Sequence, residues 1–116
     1  MTTTKTGNII GTVIVNDDET VEIRNATLSG GIIVYSGATV SVFDSTVGGP
    51  FSANHAANIS IDNTTFKGAV SINTTEAVII NASTFDGMLG GSGNKSVSGS
   101  GNVVKGHKSG DFTGLA

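Results

Sequence analysis

The sequence predicts an all-β chain wound as a parallel β-solenoid (β-helix), a single domain over residues 1–116 with about six coils of 19 residues. Three observations carry this prediction. Glycine recurs at a fixed period of 19, at Gly11, Gly30, Gly49, Gly68, Gly87 and Gly106, and such a period marks a repeat architecture. Apolar residues keep step with it. Two places before each glycine stand Ile9, Leu28, Val47, Phe66, Phe85 and Val104, and two places after stand Val13, Ile32, Phe51, Val70 and Leu89, until Lys108 breaks the series. Finally, almost half of the 116 residues are Gly, Thr, Ser or Asn. Strong helix formers are scarce, while Val, Ile and Thr favour extended strands.

The first strand of each coil follows from two further columns. Val21, Val40, Ile59, Val78 and Val97 form one, and Ile23, Val42, Ile61 and Ile80 form the other, two residues further on. A spacing of two is the strand period, so these residues face inward. Coils that hold two or three short strands and return to the same phase stack in parallel and in register, because a slip of one residue would turn every apolar side chain outward. Six rows at roughly 4.8 Å make a rod about 29 Å long. The glycine column then marks a corner, where the backbone either takes a positive φ or packs with no room for a Cβ. Asn16, Asn54 and Asn73 share a column suited to a second corner, since Asn tolerates the left-handed region. Thr27, Thr46, Thr65 and Thr84 lie beside an apolar column, point outward and can hydrogen-bond along a ladder.

The ends differ from the middle. Residues 1–8 carry Thr2 and Thr4 where apolar residues are expected, which reads as an N-terminal arm or a frayed first coil. Over residues 90–116 the pattern thins into weaker C-terminal coils and a cap: GGSGNKSVSGSGN places Gly91 and Gly99 at inward positions, and the tail GDFTGLA offers Phe112 and Leu115 as a plug. Solenoid ends are open strand edges that need a cap, a partner or repulsive charge.

Charge and composition exclude several function classes. With 6 Lys+Arg against 9 Asp+Glu and no basic cluster, the chain lacks the counterion release on which nucleic-acid binding depends. No cysteine is present, which removes disulfides and thiolate ligands. No apolar run is long enough to span a membrane, and no charged-then-apolar leader follows Met1, so synthesis is expected in the cytosol if Met1 is native. His55 and His107 fall in different columns about three coils apart, too far to share a metal. Neither a metal nor a cofactor is expected.

Asp44 and Asp62 form the one close acidic pair, in adjacent columns of adjacent rows, roughly 5–7 Å apart in a regular stack. Paired carboxylates are what glycoside cleavage needs, so the two are candidate glycan contacts. The competing reading is a corner ladder of Asn and Asp satisfying turn backbone groups. The Thr rank raises ice binding, although its companion outward column, Ser29, Gly48, Lys67 and Asp86, breaks a flat array with charge. The glycine-rich runs 90–93 and 99–101 lack the following helix and Lys-Ser/Thr that a phosphate loop needs. Six Asn-x-Ser/Thr sequons, at Asn25, Asn58, Asn63, Asn73, Asn81 and Asn94, are surface modification sites if the chain is secreted. Ile14 and Ile33, outward between inward neighbours, are the candidate interface for side-by-side association.

The 19-residue period, and especially TLSGGIIVYSGATVSV from Thr27 to Val42, resembles the repeats of self-associating autotransporter adhesin passengers. The stack is also similar to the solenoid parts of phage tailspikes and fibres, and bactofilins are a further solenoid family of similar length. The resemblance covers nearly the whole chain. It implies a right-handed parallel β-helix and a role in adhesion or assembly, and it carries over no catalytic residue. The signal peptide and membrane barrel of an autotransporter are missing from the sequence, and active tailspikes are several times longer. The expectation is therefore a non-enzymatic, self-assembling structural element of a virion or an extracellular or cell surface, partnered by itself as an end-to-end filament or a trimer. A glycan-binding or glycan-cleaving surface module and an ice-binding solenoid are the alternatives.

Overall fold

The structure, a computed structural model, describes residues 2–115. It is a parallel β-solenoid of about five turns, with half the chain in strands and no α-helix among the described residues. The first coil comprises β1 (Thr2–Ile9) and β2 (Val13–Val15), and the second β3 (Thr20–Leu28) and β4 (Ile32–Val34). From the third coil on, a corner divides the first strand. There follow β5 (Thr39–Phe43), β6 (Thr46–Val47) and β7 (Phe51–Asn54); β8 (Asn58–Asp62), β9 (Thr65–Phe66) and β10 (Val70–Asn73); and β11 (Ala77–Asn81), β12 (Thr84–Phe85) and β13 (Leu89–Gly90). The last row holds β14 (Val97–Ser98), β15 (Val103–Val104) and a 3-10 turn over Gly110–Phe112. Six rows thus close about five turns.

Three faces result. Face one stacks the first halves of β1 and β3 with β5, β8, β11 and β14; face two stacks their second halves with β6, β9, β12 and β15; face three runs β2, β4, β7, β10, β13. The 19-residue register is uniform from β3 onward, as in Val21↔Val40↔Ile59 and Thr46↔Thr65. The principal extents are 31 × 26 × 19 Å, a stubby prism rather than a rod, because each coil is about as wide as the stack is tall.

The predicted apolar columns fill the prism. Val21, Val40, Ile59 and Val78, Ile23, Val42, Ile61 and Ile80, and Leu28, Val47, Phe66 and Phe85 are all buried. Phe51 meets Phe66 edge-on at 5.6 Å and Phe66 stacks on Phe85 at 5.2 Å. Aromatic pairs at these separations add to the energy of burial.

The glycine column stands at the corner between faces two and three, and of the two explanations for it the structure selects close approach. Only Gly11 has a positive φ, 90°. A Cβ on Gly30 would lie 2.5 Å from the Gly11 carbonyl oxygen, and one on Gly49 or Gly68 would lie 2.7 Å from the carbonyl carbon of the glycine one coil earlier. Left-handed residues occupy the other two corners. At the corner between faces one and two they are Asn25, Asp44, Asn63 and Ala82, with φ of 47°, 51°, 49° and 50°. At the corner between faces three and one the Asn expectation is corrected: Asn16, Asn54 and Asn73 keep ordinary φ, and His55 (57°) and Thr74 (53°), one residue further on, turn the chain. Asn73 acts through its side chain, its Oδ1 accepting from Ser92 N at 3.0 Å.

Directly after the first left-handed column lies a buried polar one, Ser45, Thr64 and Ser83, following Ala26. Ser45 Oγ accepts from Ala26 N at 3.2 Å and donates to Phe43 O at 2.7 Å. Ser83 Oγ accepts from Thr64 N at 3.3 Å and donates to Asn81 O at 2.8 Å. Asn102 extends the series, its Oδ1 accepting from Ser83 N at 3.0 Å and its Nδ2 donating to Ile80 O at 2.8 Å. Each side chain therefore satisfies backbone groups that the bend removes from the ladder, which is what burial of such groups demands.

Both ends are more ordered than their composition implies. The segment read as an arm or frayed coil is β1, paired with β3 along its length, and a bulge between Lys5 and Gly7 shifts its register. Thr3 and Lys5, not Thr2 and Thr4, consequently stand in the inward columns, opposite Val21 and Ile23. At the other end, GSGN occurs twice, at 91–94 and 99–102, with the same backbone: Gly91 and Gly99 at φ of 153° and 144°, and Gly93 and Gly101 both at 74°. A Cβ on Gly91 or Gly99 would run into the carbonyl oxygen of Ile72 or Ile80. Phe112 and Leu115 of the tail are both buried in the core cluster. The tail is tied down by Asp111, whose Oδ2 accepts from Asn94 N at 2.8 Å.

Candidate assembly surfaces

A stacked solenoid offers two kinds of surface, its flanks and its ends. On face three the outward positions of β2 and β4 are Ile14 and Ile33, paired in register. Ile14 is 49% exposed, Ile33 is half-buried, and Tyr35 beside them is 46% exposed. The next outward residues in that column are Ser52 and Ser71, so the apolar patch ends after two coils.

Face two carries the Thr rank where it was expected. Thr27, Thr46, Thr65 and Thr84 pair in register, flanked by Asn8 and Val103. Thr27 is exposed and the other three are half-buried. Among the described residues no hydrogen bond joins one Thr of the rank to the next. The hydroxyls of Ser45, Thr64 and Ser83, one residue earlier and buried, do bond between coils.

On face one Arg24 lies over the Phe43 ring, 4.7 Å from its centroid, and pairs with Glu22. The hydrogen bond that Arg24 Nε donates to Glu22 Oε1 holds the guanidinium pKa above its usual value. Asp44 and Asp62 meet chiefly through the backbone, Asp44 N donating to Asp62 O at 3.1 Å. The Asp44 carboxylate is engaged elsewhere: its Oδ1 accepts from Asn63 Nδ2 at 2.8 Å, one coil on in the same column. This bond joins two side chains along the corner column. No group of three or more potential metal ligands occurs among the described residues.

The ends expose strand edges. β1 pairs with β3 on one side only, leaving an edge eight residues long. At the far end the edges are shorter, with two residues each in β14 and β15. A cavity of about 360 Å³ opens there, lined by Val97, Ser98, Gly99, Asp111, Gly114 and Leu115. Sequence reasoning missed both this cavity and the inward Lys5. The first depends on where the tail folds back, and the second on a one-residue bulge. Compared with known proteins, the chain matches no family model, no curated protein and no solved structure.

Proposed function

We propose that this chain is a non-enzymatic structural element that assembles with copies of itself, on a virion or an extracellular or cell surface. The observation that carries the reading is the pair of open strand edges on an otherwise saturated stack. Every coil between the ends is hydrogen-bonded on both sides, and no buried side-chain polar atom among the described residues lacks a partner. Unpaired strand edges are templates for adding another strand. The flanks are rich in Ser, Thr and Asn, with a two-coil apolar patch at Ile14 and Ile33 and separate exposed apolar residues at Ile10, Ile79 and Met88. End-to-end stacking therefore has more support than side-by-side trimerisation, and a glycan-cleaving role draws no support from an Asp44 carboxylate already held by Asn63. The test is a concentration series of the untagged chain by light scattering, with Ile14→Ser in parallel. Mass growing with concentration, and unaffected by Ile14→Ser, supports end-to-end assembly. Loss of association in Ile14→Ser transfers the interface to the flank, and a monomer at every concentration refutes self-assembly.

A further inference from the structure

The two ends of the stack differ in a way that fits one to the other. At the N-terminal end Lys5 occupies a core column: it pairs with Ile23, and the column runs on through Val42, Ile61 and Ile80. Gly99 closes it, lying against the backbone of Ile80. A cationic side chain thus stands at an inward position of the first coil, and no side chain stands at the matching position of the last. The cavity opens beside Gly99, and among the described residues Asp111 is the one ionisable residue in its lining. Asp111 Oδ2 takes both hydrogen bonds from Asn94, at 2.8 and 3.0 Å. Among the described residues Oδ1 takes none.

Two further features share this polarity. The partly buried apolar residues of the core are Ile9 at one end and Val97 and Val104 at the other, and Ile9 and Val104 belong to one column. The first coil carries Asp17, Asp18 and Glu19 against Lys5, whereas the chain beyond residue 90 carries Lys95, Lys105 and Lys108 against Asp111, with Lys95 and Lys105 paired to Glu76 and Asp86 one coil back. Opposite charge at the two ends favours joining unlike ends and disfavours joining like ones.

We propose that the occupant of each end is the opposite end of a second copy: β1 of one molecule adds to the β14 and β15 edges of the next, and Lys5 enters the cavity beside Gly99 to meet Asp111. Continued register sets Ile9 over Val104 and Thr3 over Val97. The contact is heterologous, so it propagates instead of closing. This inference rests on the self-assembly reading and specifies its geometry.

Charge reversal in the full-length chain tests it by light scattering. Lys5→Glu and Asp111→Lys are each expected to weaken association by about tenfold or more, and an equimolar mixture of the two to restore it, since every junction in an alternating chain again joins opposite charges. Should Asp111→Lys melt early, Asp111→Asn keeps an acceptor for Asn94 and must weaken assembly about as much as Lys5→Gln. Wild-type assembly that neither single variant changes overturns the Lys5 contact while leaving self-assembly standing. A mixture of two well-folded variants that fails to recover also overturns it. A wild-type chain that stays monomeric removes both this geometry and the reading beneath it.

Discussion

Replacing Gly68 with Ala tests the packing of the glycine corner. The new Cβ would sit 2.7 Å from the Gly49 carbonyl carbon and 2.8 Å from its oxygen, whereas ordinary carbon contacts begin near ~3.5 Å. Both obstructing atoms are backbone, in a glycine whose own N–H is held to Gly30 O at 2.9 Å. Relief therefore means parting two coils by roughly 0.7 Å, which carries a neighbouring ladder bond from a normal length beyond the ~3.2 Å limit of a good one. Overpacking costs about 1–3 kcal/mol, and a weakened hydrogen bond adds about 1 kcal/mol. Lower entropy of the unfolded chain returns about 0.4–1 kcal/mol, so the net loss is about 2–3 kcal/mol. In a domain of this size that lowers Tm by roughly 10 °C. Gly87→Ala is the control. Its Cβ would lie 3.1 Å from the Gly68 carbonyl oxygen and 3.2 Å from its carbon, a conflict that a shift of a few tenths of an ångström removes, so its net change stays within about 1 kcal/mol. Urea unfolding followed by circular dichroism, with equal m-values, measures both. A Gly68→Ala variant within about 0.5 kcal/mol of wild type, or one no worse than Gly87→Ala, refutes the close-approach account.

Two other substitutions probe the remaining corners. Thr64→Val keeps the side-chain shape but deletes the hydroxyl that donates to Asp62 O at 2.9 Å and Val42 O at 3.2 Å; a loss of about 1–2 kcal/mol is expected in the same assay, and an unchanged midpoint contradicts a role for the buried polar column. Ala82 holds a φ of 50°, a conformation that costs an ordinary residue about 1–2 kcal/mol. Ala82→Asn, matching Asn25 and Asn63 in that column, is expected to raise stability by up to about 1 kcal/mol, and a destabilised variant shows that Ala82 is not strained.

The residues explain what was legible in the sequence. A 19-residue period combined with the strand period of two leaves one register for Val21, Val40 and Ile59, so the core and the parallel stacking could be read directly. The corners could not, because they turn on conformation. Asn25 and Asn73 are equally tolerant of the left-handed region, yet Asn25 adopts it while Asn73 leaves it to Thr74 and contributes a side-chain acceptor. Ser45, Thr64 and Ser83 look like surface residues until the bend leaves backbone groups that an inward polar side chain must reach. At the N-terminus a bulge moves Lys5, rather than Thr4, into the apolar column. Candidate surfaces were legible where strand alternation fixes them, as for Ile14, Ile33 and the Thr rank. Asp44 and Asp62 fall in the expected adjacent columns, but the left-handed turn at Asp44 gives its carboxylate to Asn63.

Electron microscopy of the purified, untagged chain at high concentration decides whether the ends of the stack join. Structural self-assembly through the ends predicts unbranched filaments with an axial subunit repeat of about 29 Å, six rows at roughly 4.8 Å each. A field of single particles the size of one 31 × 26 × 19 Å prism, with no axial order at any concentration, contradicts it.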